Sequence, residues 1–180
     1  NADYSDIVTA IPVVFNEDFT FTGTLAASAL VHIGSGKSVS VAGSTVSGRT
    51  VKGVANNDAT LTVNLGNTTD FNGTNINNAA GSALQHFVVV VDNNLTLAAA
   101  KLDRVTKLEV NAGKTLNLGN NAGTTFPALG STSGIVTMAA NAIVEGSVAK
   151  LAAAGKISGP GQAKNTGNVP NNTNSELTDV

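Results

Sequence analysis

The chain has 180 residues, enough for one domain with a real core, and carries a net charge of −2 at pH 7 with a pI near 5.5. Its ten Lys and Arg are scattered, which leaves no electrostatic footprint for nucleic acid, and the absence of Cys excludes disulfides, thiolate chemistry and Cys-containing zinc sites. Charged residues are 12% and aromatics 4%, without Trp, so the polar load falls to Asn, Thr, Ser and Gly, and the core to Val, Leu, Ile and Ala in thin layers.

The chain opens Asn1-Ala-Asp-Tyr4 without Met. Taken as a mature end left by signal cleavage, this predicts a secreted, extracellular or cell-surface protein. An apolar stretch follows, with Ile7, Thr9, Ile11, Val13 and Phe15 on one face and Val8, Ala10 and Val14 on the other. Pro12 lacks an N–H, which points to an edge strand. Asn16-Glu17-Asp18 is a turn, and Phe19–Thr22 alternates cleanly. Val31-His-Ile-Gly-Ser-Gly-Lys-Ser-Val-Ser-Val41 then reads as strand, corner and strand, with Gly36 at the corner where φ turns positive.

Gly43, Gly48 and Gly53 end short Val- and Thr-bearing pieces, and Asn56-Asn57-Asp58 is the next turn. Ala59–Leu65 alternates best, with Leu61, Val63 and Leu65 inward. Asn72–Gly81 is a polar loop. Gln85–Val91 is a strand, and the Phe87–Val91 run within it reads as fully buried; it falls far short of the ~18 apolar residues that span a membrane. After the turn Asp92-Asn93-Asn94 and the strand Leu95–Leu97, Ala98–Val105 supports one or two helical turns at most.

Leu108-Glu-Val-Asn-Ala-Gly-Lys-Thr-Leu-Asn-Leu118 repeats the first unit without a gap. Leu151–Ile157 echoes its Gly-Lys corner one residue tighter, after a single turn with Ser147 as N-cap and Gly155 just past its end. From Gly159 to Val180 apolar periodicity is lost, giving one β-rich domain over 1–158 and an irregular polar tail over 159–180.

Strands at this spacing with turn signals between them predict an all-β fold. The repeated corner favours a β-solenoid of stacked strands, with a β-sandwich or jelly roll as the alternative. The intervals from Lys37 to Lys114 and from Lys114 to Lys156 fit whole rungs only loosely.

No residue pattern carries catalysis. Carboxylates are mostly isolated, the adjacent Glu17 and Asp18 lying in a turn, no Gly-x-Ser-x-Gly elbow exists, and His32 and His86 have no nearby acidic neighbour to make a zinc site. Gly34-Ser-Gly-Lys37-Ser38 lacks the first Gly of a P-loop and opens a strand. Hard oxygen donors at Asp3, Asp6, Glu17, Asp18, Asp58 and Asp92 are candidates for calcium, although turn formation also explains them. No other cofactor is implied. Asn67, Asn72, Asn94 and Asn171 head Asn-x-Thr sequons. Outward Thr pairs at Thr20 and Thr22 and at Thr60 and Thr62 do not extend into the regular ladder that ice binding uses.

The units Val31–Val41 and Leu108–Leu118 resemble rungs of bacterial surface adhesins and autotransporter passengers. Low charge, Asn, Thr and Gly richness and lack of Cys are shared with those proteins and with surface-layer and extracellular filament subunits. The resemblance implies a non-catalytic extracellular structural protein. On the residues, Ile7–Phe15 is either the first strand of its own core or a strand donated to the next subunit, which would make a homopolymer by β-strand addition. The alternative is an adhesin module binding a cell-surface glycan, against which the lack of Trp weighs.

Overall fold

The structure is a computed structural model. It describes residues 6–7, 11–54, 58–76, 84–98, 100–102, 105–119, 135–147, 151 and 156–166. The chain winds into a β-solenoid of about six turns, and the sandwich alternative is discarded. The first turn carries β1 (Asp6–Ile7), β2 (Val13–Phe15) and β3 (Phe19–Phe21). Next come β4 (Thr24–Leu25), β5 (Leu30–Ile33) and β6 (Ser38–Ala42), then α1 (Gly43–Val46), β7 (Thr50–Gly53) and β8 (Ala59–Asn64). β9 (Leu84–Val91), β10 (Leu95–Thr96), β11 (Lys107–Val110), β12 (Thr115–Asn117) and β13 (Ile135–Met138) continue the winding. β14 (Ile143–Gly146), β15 (Lys156–Ser158) and β16 (Gln162–Asn165) complete it.

Among the described residues every strand pair is parallel, because each partner lies one turn further along the chain. The longest sheet runs β3-β6-β8-β9-β11-β13-β15. A second wall runs β2-β5-β7, and Ile76 bridges onto its Val51. The remaining wall holds β1-β4 near one end and β10-β12-β14-β16 near the other.

Period-2 alternation turns inward side chains into columns. Phe21, Val41, Val63, Val89, Leu108, Val136 and Ile157 lie in register down the long sheet, and all are buried. Neighbouring strands sit ~4.8 Å apart, so each column is a continuous stack of aliphatic contacts. Val31 and Val51 form the matching column of the second wall, and Leu95, Leu116 and Val144 that of the remaining wall. These columns merge into one core, which explains how a chain so poor in aromatic residues folds.

The repeated unit is a corner. The Lys37 N–H donates to the Gly34 carbonyl at 3.1 Å, and the Lys114 N–H donates to the Asn111 carbonyl at 3.0 Å. Gly36 and Gly113 both sit at φ 67°. The Lys37 carbonyl then accepts from Thr60 N–H at 2.8 Å, and the Lys114 carbonyl accepts from Ile143 N–H at 2.8 Å. The two copies nevertheless occupy different places. The first enters the long sheet, from β5 to β6, and the second leaves it, from β11 to β12. Their spacing is therefore not a whole number of turns.

A third copy of this geometry was hidden in the sequence. Ala142 N–H donates to the Ala139 carbonyl at 3.1 Å, its own carbonyl accepts from Gln162 N–H at 2.8 Å, and Asn141 stands at φ 60° where the others have Gly. Asn tolerates that region through its short polar side chain. The echo at Leu151–Ile157 differs: Lys156 begins β15 instead of turning a corner, and residues 152–155 lie outside the described residues.

Several expectations are corrected. The single strand expected over Ile7–Phe15 is two short strands on different walls. β1 pairs with β4 and β2 with β5, while Ile11 lies in a bend at 72% exposure. Ile7 and Phe15 both reach the core, each from its own strand, and Val13 packs partly buried against it. Thr9, with Val8 and Ala10, lies outside the described residues.

Gly43–Val46 forms a short helix, where Gly43 packs so tightly that a Cβ would come within 3.2 Å of Leu65 Cα. The stretch read as weakly helical carries a bridge between Lys101 and Asn72, with Lys101 N–H donating to the Phe71 carbonyl at 2.7 Å. Residues 99, 103 and 104 there lie outside the described residues. The polar loop expected from Asn72 does not start there, since Asn72 and Ile76 bridge to other turns and Ile76 is fully buried; residues 77–81 lie outside the described residues. Leu151 N–H does bond the Ser147 carbonyl at 2.9 Å, as one helical turn would. Finally, β16 pairs with β14, so the solenoid extends past residue 158; residues 167–180 lie outside the described residues. No helix among the described residues is long and apolar enough to cross a membrane.

Candidate functional site

Three regions outside the core concentrate chemistry: the corners, the outer face of the long sheet, and the ends of the solenoid. At the corners, Asp and Asn side chains bracket one turn to the next. Asp18 accepts from Ser38 N–H at 2.7 Å, and Asp92 accepts from Gly66 N–H at 2.7 Å. Asp58 accepts from the Ser35 hydroxyl at 3.0 Å and from Gly36 N–H. Asn94 accepts from Thr115 N–H at 2.9 Å, and Asn93 donates to Asn67 at 3.2 Å. A turning backbone exposes N–H groups that no ladder satisfies, and a carboxylate or amide from the adjacent turn supplies the acceptor.

The candidate calcium ligands are thus distributed along the solenoid. Glu17 is exposed beside Asp18, Asp6 lies in β1, and Asp3 is outside the described residues. Asp18, Asp58 and Asp92 each have an oxygen engaged by a backbone N–H. Among the described residues no three or more His, Asp or Glu gather where an ion would sit.

The Ser35 hydroxyl, followed by Asp58's own backbone N–H and that of Gly36, holds the Asp58 carboxyl below its ordinary value of 3.8. A folded-state value below the unfolded one adds stability above the unfolded value, and this is lost as pH falls through the folded one. Asp58→Asn is therefore expected to lower the melting temperature at neutral pH and to flatten its decline below pH ~4. Parallel acid-side slopes for both proteins in a series of thermal melts would refute this.

Of the sequons, Asn67 and Asn94 stand exposed at corners. Asn72 is half-buried, with its side-chain oxygen accepting from Thr74 N–H at 3.1 Å, and Asn171 is outside the described residues. His32 lies outward on β5 between Val14 and Lys52, and His86 lies exposed on β9. They occupy different walls.

The outer face of the long sheet begins as a hydroxyl array. Thr20, Ser40 and Thr62 form one row, and Ser38 and Thr60 an adjacent one. Asn64 Nδ2 donates to Ser40 Oγ at 2.9 Å. Further along, the row passes through Val88 to Lys107, whose Nζ lies 2.6 Å from Glu109 Oε1. Sequence reading found the Thr pairs but not the rows, because the winding brings together residues one turn apart.

At the first end, Phe15, Phe19 and Phe21 close the core. Phe15 and Phe19 meet edge to face with centroids 4.9 Å apart, and Phe15 and Phe21 lie 5.5 Å apart. Ile11 and Val14, exposed at 72% and 44%, belong to the same turn. Among the described residues, β3 ends the long sheet, β2 the second wall and β1 the remaining wall, while β15 and β16 hold the opposite ends of the long sheet and the remaining wall. Comparison with protein-family models, with curated proteins and with solved structures gives no match to this chain.

Proposed function

We propose that this protein is a non-catalytic, extracellular structural subunit that assembles end to end into a filament or surface layer by β-strand addition. The observation that carries this reading is the first turn. Among the described residues, three parallel sheets end there on short strands, next to two of the three most exposed large apolar side chains. A parallel sheet ending in a strand is a template for further pairing, and solenoids that remain single copies need polar capping turns. A contact between two unlike ends does not close on itself, so it propagates. The low charge and absence of Cys suit a surface location.

Negative-stain microscopy across a concentration series tests this. The expected result is fibres or sheets of uniform width that give a ~4.8 Å reflection along the fibre axis, since the strands stack along it. A sample sedimenting as a monomer throughout would sink the reading.

A second reading is favoured by the hydroxyl rows of Thr20, Ser40, Thr62, Ser38 and Thr60. They make an uncharged face rich in hydrogen-bonding groups, suited to a cell-surface glycan as in an adhesin module. Retention on a glycan array that is lost on Thr60→Val with Thr62→Val would support it; equal retention of both proteins would dismiss it.

A further inference from the structure

Asn72-Gly73 is the single Asn-Gly step in the chain. In an unfolded polypeptide this is the most labile of amide sites. The glycine peptide nitrogen is unhindered by a side chain, and its backbone turns freely toward the Asn carboxamide. Close packing demands the glycine. A Cβ at Gly73 would come within 2.9 Å of the Lys101 carbonyl oxygen and 3.2 Å of Phe71 Cε1. The Asn is used as well. Its side-chain oxygen accepts from Thr74 N–H at 3.1 Å, an Asx turn that curls the carboxamide over the Gly73 peptide. Such a turn keeps the carboxamide beside the nitrogen that would attack it.

The fold withholds that nitrogen. Gly73 is buried, and its N–H donates to the Lys101 carbonyl at 3.0 Å. Asn72 N–H donates to Ser47 Oγ at 2.9 Å, and the Asn72 carbonyl accepts from Gly48 N–H at 2.7 Å. The step is thus clamped from the preceding solenoid turn through Ser47 and Gly48, and from the following one through Lys101. Cyclisation requires the Gly73 nitrogen to lose its proton and point its lone pair at Asn72 Cγ. A donor committed to Lys101 does neither.

We propose that Asn72-Gly73 is a latent deamidation site, closed while this clamp holds and opened when its solenoid turn separates from its neighbours. Water is the only co-reactant. The Gly73 nitrogen gives its proton to hydroxide and bonds to Asn72 Cγ; the Cγ–Nδ2 bond breaks, and Nδ2 leaves as ammonia with a proton from water. Water then opens the cyclic imide at either carbonyl, giving aspartate or isoaspartate. Isoaspartate lengthens the backbone by one methylene, so the register toward Ser47 and Gly48 and that toward Lys101 no longer fit together. A transient opening at this place is thereby made permanent.

Peptide mapping of the whole chain at mildly alkaline pH, folded and in guanidinium, tests this. In guanidinium Asn72 should convert ahead of every other Asn, read as isoaspartate and as the mass gain of exchanging an amide NH2 for OH. In the folded protein it should convert at least ~100-fold more slowly. That suppression should match the hydrogen-exchange protection of the Gly73 N–H in the same buffer to within about threefold, since one opening controls both. Ser47→Ala removes the acceptor of the Asn72 N–H. It should speed conversion of the folded protein ~5-fold and leave the rate in guanidinium unchanged. Circular dichroism checks that this variant is folded; if it is not, the comparison on the native chain decides alone. Folded protein converting as fast as unfolded, or a folded Ser47→Ala variant no faster than the native chain, would overturn the clamp. An Asn72 that does not lead in guanidinium would overturn the site itself.

Discussion

Truncating Phe87 to Ala is expected to destabilise the protein by about 3–5 kcal/mol, a large share of the roughly 5–15 kcal/mol by which domains of this kind are stable. Phe87 is fully buried in the middle of the long sheet. Its ring meets that of Phe71 at 6.4 Å and 63°, which ties the sheet to the facing part of the turn. Its backbone is held as well, since Thr106 Oγ1 accepts from Phe87 N–H at 2.9 Å and lies 3.1 Å from the Phe87 carbonyl. The strand is therefore anchored to the next turn, which limits how far the backbone can move into the space left by the ring. In a stacked fold the central turns carry cooperativity between the two halves, so the loss should be global. Denaturant unfolding measures it. Val54→Ala, at a site 40% exposed, serves as the control with a change within ~0.5 kcal/mol. A Phe87→Ala loss below ~1 kcal/mol would mean that the ring does not occupy the core.

Gly159→Ala should act differently. Gly159 sits at φ 108°, and a Cβ there would collide with the Met138 carbonyl oxygen and lie 3.0 Å from Met138 N. Both obstacles are backbone, so nothing nearby can swing aside. The backbone conformation contributes ~1–3 kcal/mol and the overlap a similar amount. Gly161, whose Cβ would come within 2.6 Å of the Ala142 carbonyl, shows that the whole corner lies directly on the previous one. Because turns contact mainly their neighbours, the variant is expected to release β16 from β14 while earlier turns persist. Hydrogen exchange reads this at Gln162 and Thr166, whose N–H groups donate to Ala142 and Gly146 at 2.8 and 2.9 Å. Protection there should fall by a factor of 100 or more, about 3 kcal/mol, with the global midpoint barely moved. Unchanged protection at those two amides would contradict the packing described.

The contrast between the two Gly-Lys units shows how much could be read without the structure. Each was legible as strand, corner and strand, because alternation and a positive-φ Gly are properties of a dozen adjacent residues. The same units misled about periodicity, since a corner motif serves any corner and these two serve different ones. The third corner escaped because Asn141 does the work of Gly there. β16 escaped for another reason. Gln162-Ala163-Lys164-Asn165 has little apolar alternation, and its conformation comes from pairing with β14. The corner carboxylates were found by residue type, but their partners lie about one turn away, at separations of 20 to 26 residues.

By itself the sequence determined the class of object: an all-β chain of short alternating strands, an aliphatic core and polar corners without thiol chemistry or a basic face. Those properties follow from local backbone preference and from the number of apolar groups to be hidden, neither of which depends on winding. Only the tertiary structure decided the register of each turn on the next. Register placed Ile7 and Phe15 on separate walls, gathered Thr20, Ser40 and Thr62 into a row, and set Asp6 and Lys164 at opposite ends of one wall. The physical reason is that the length of each turn varies with its corner loops. The pairing of residue with residue is fixed only when the inward columns close on one another, and no stretch of a dozen residues contains that condition.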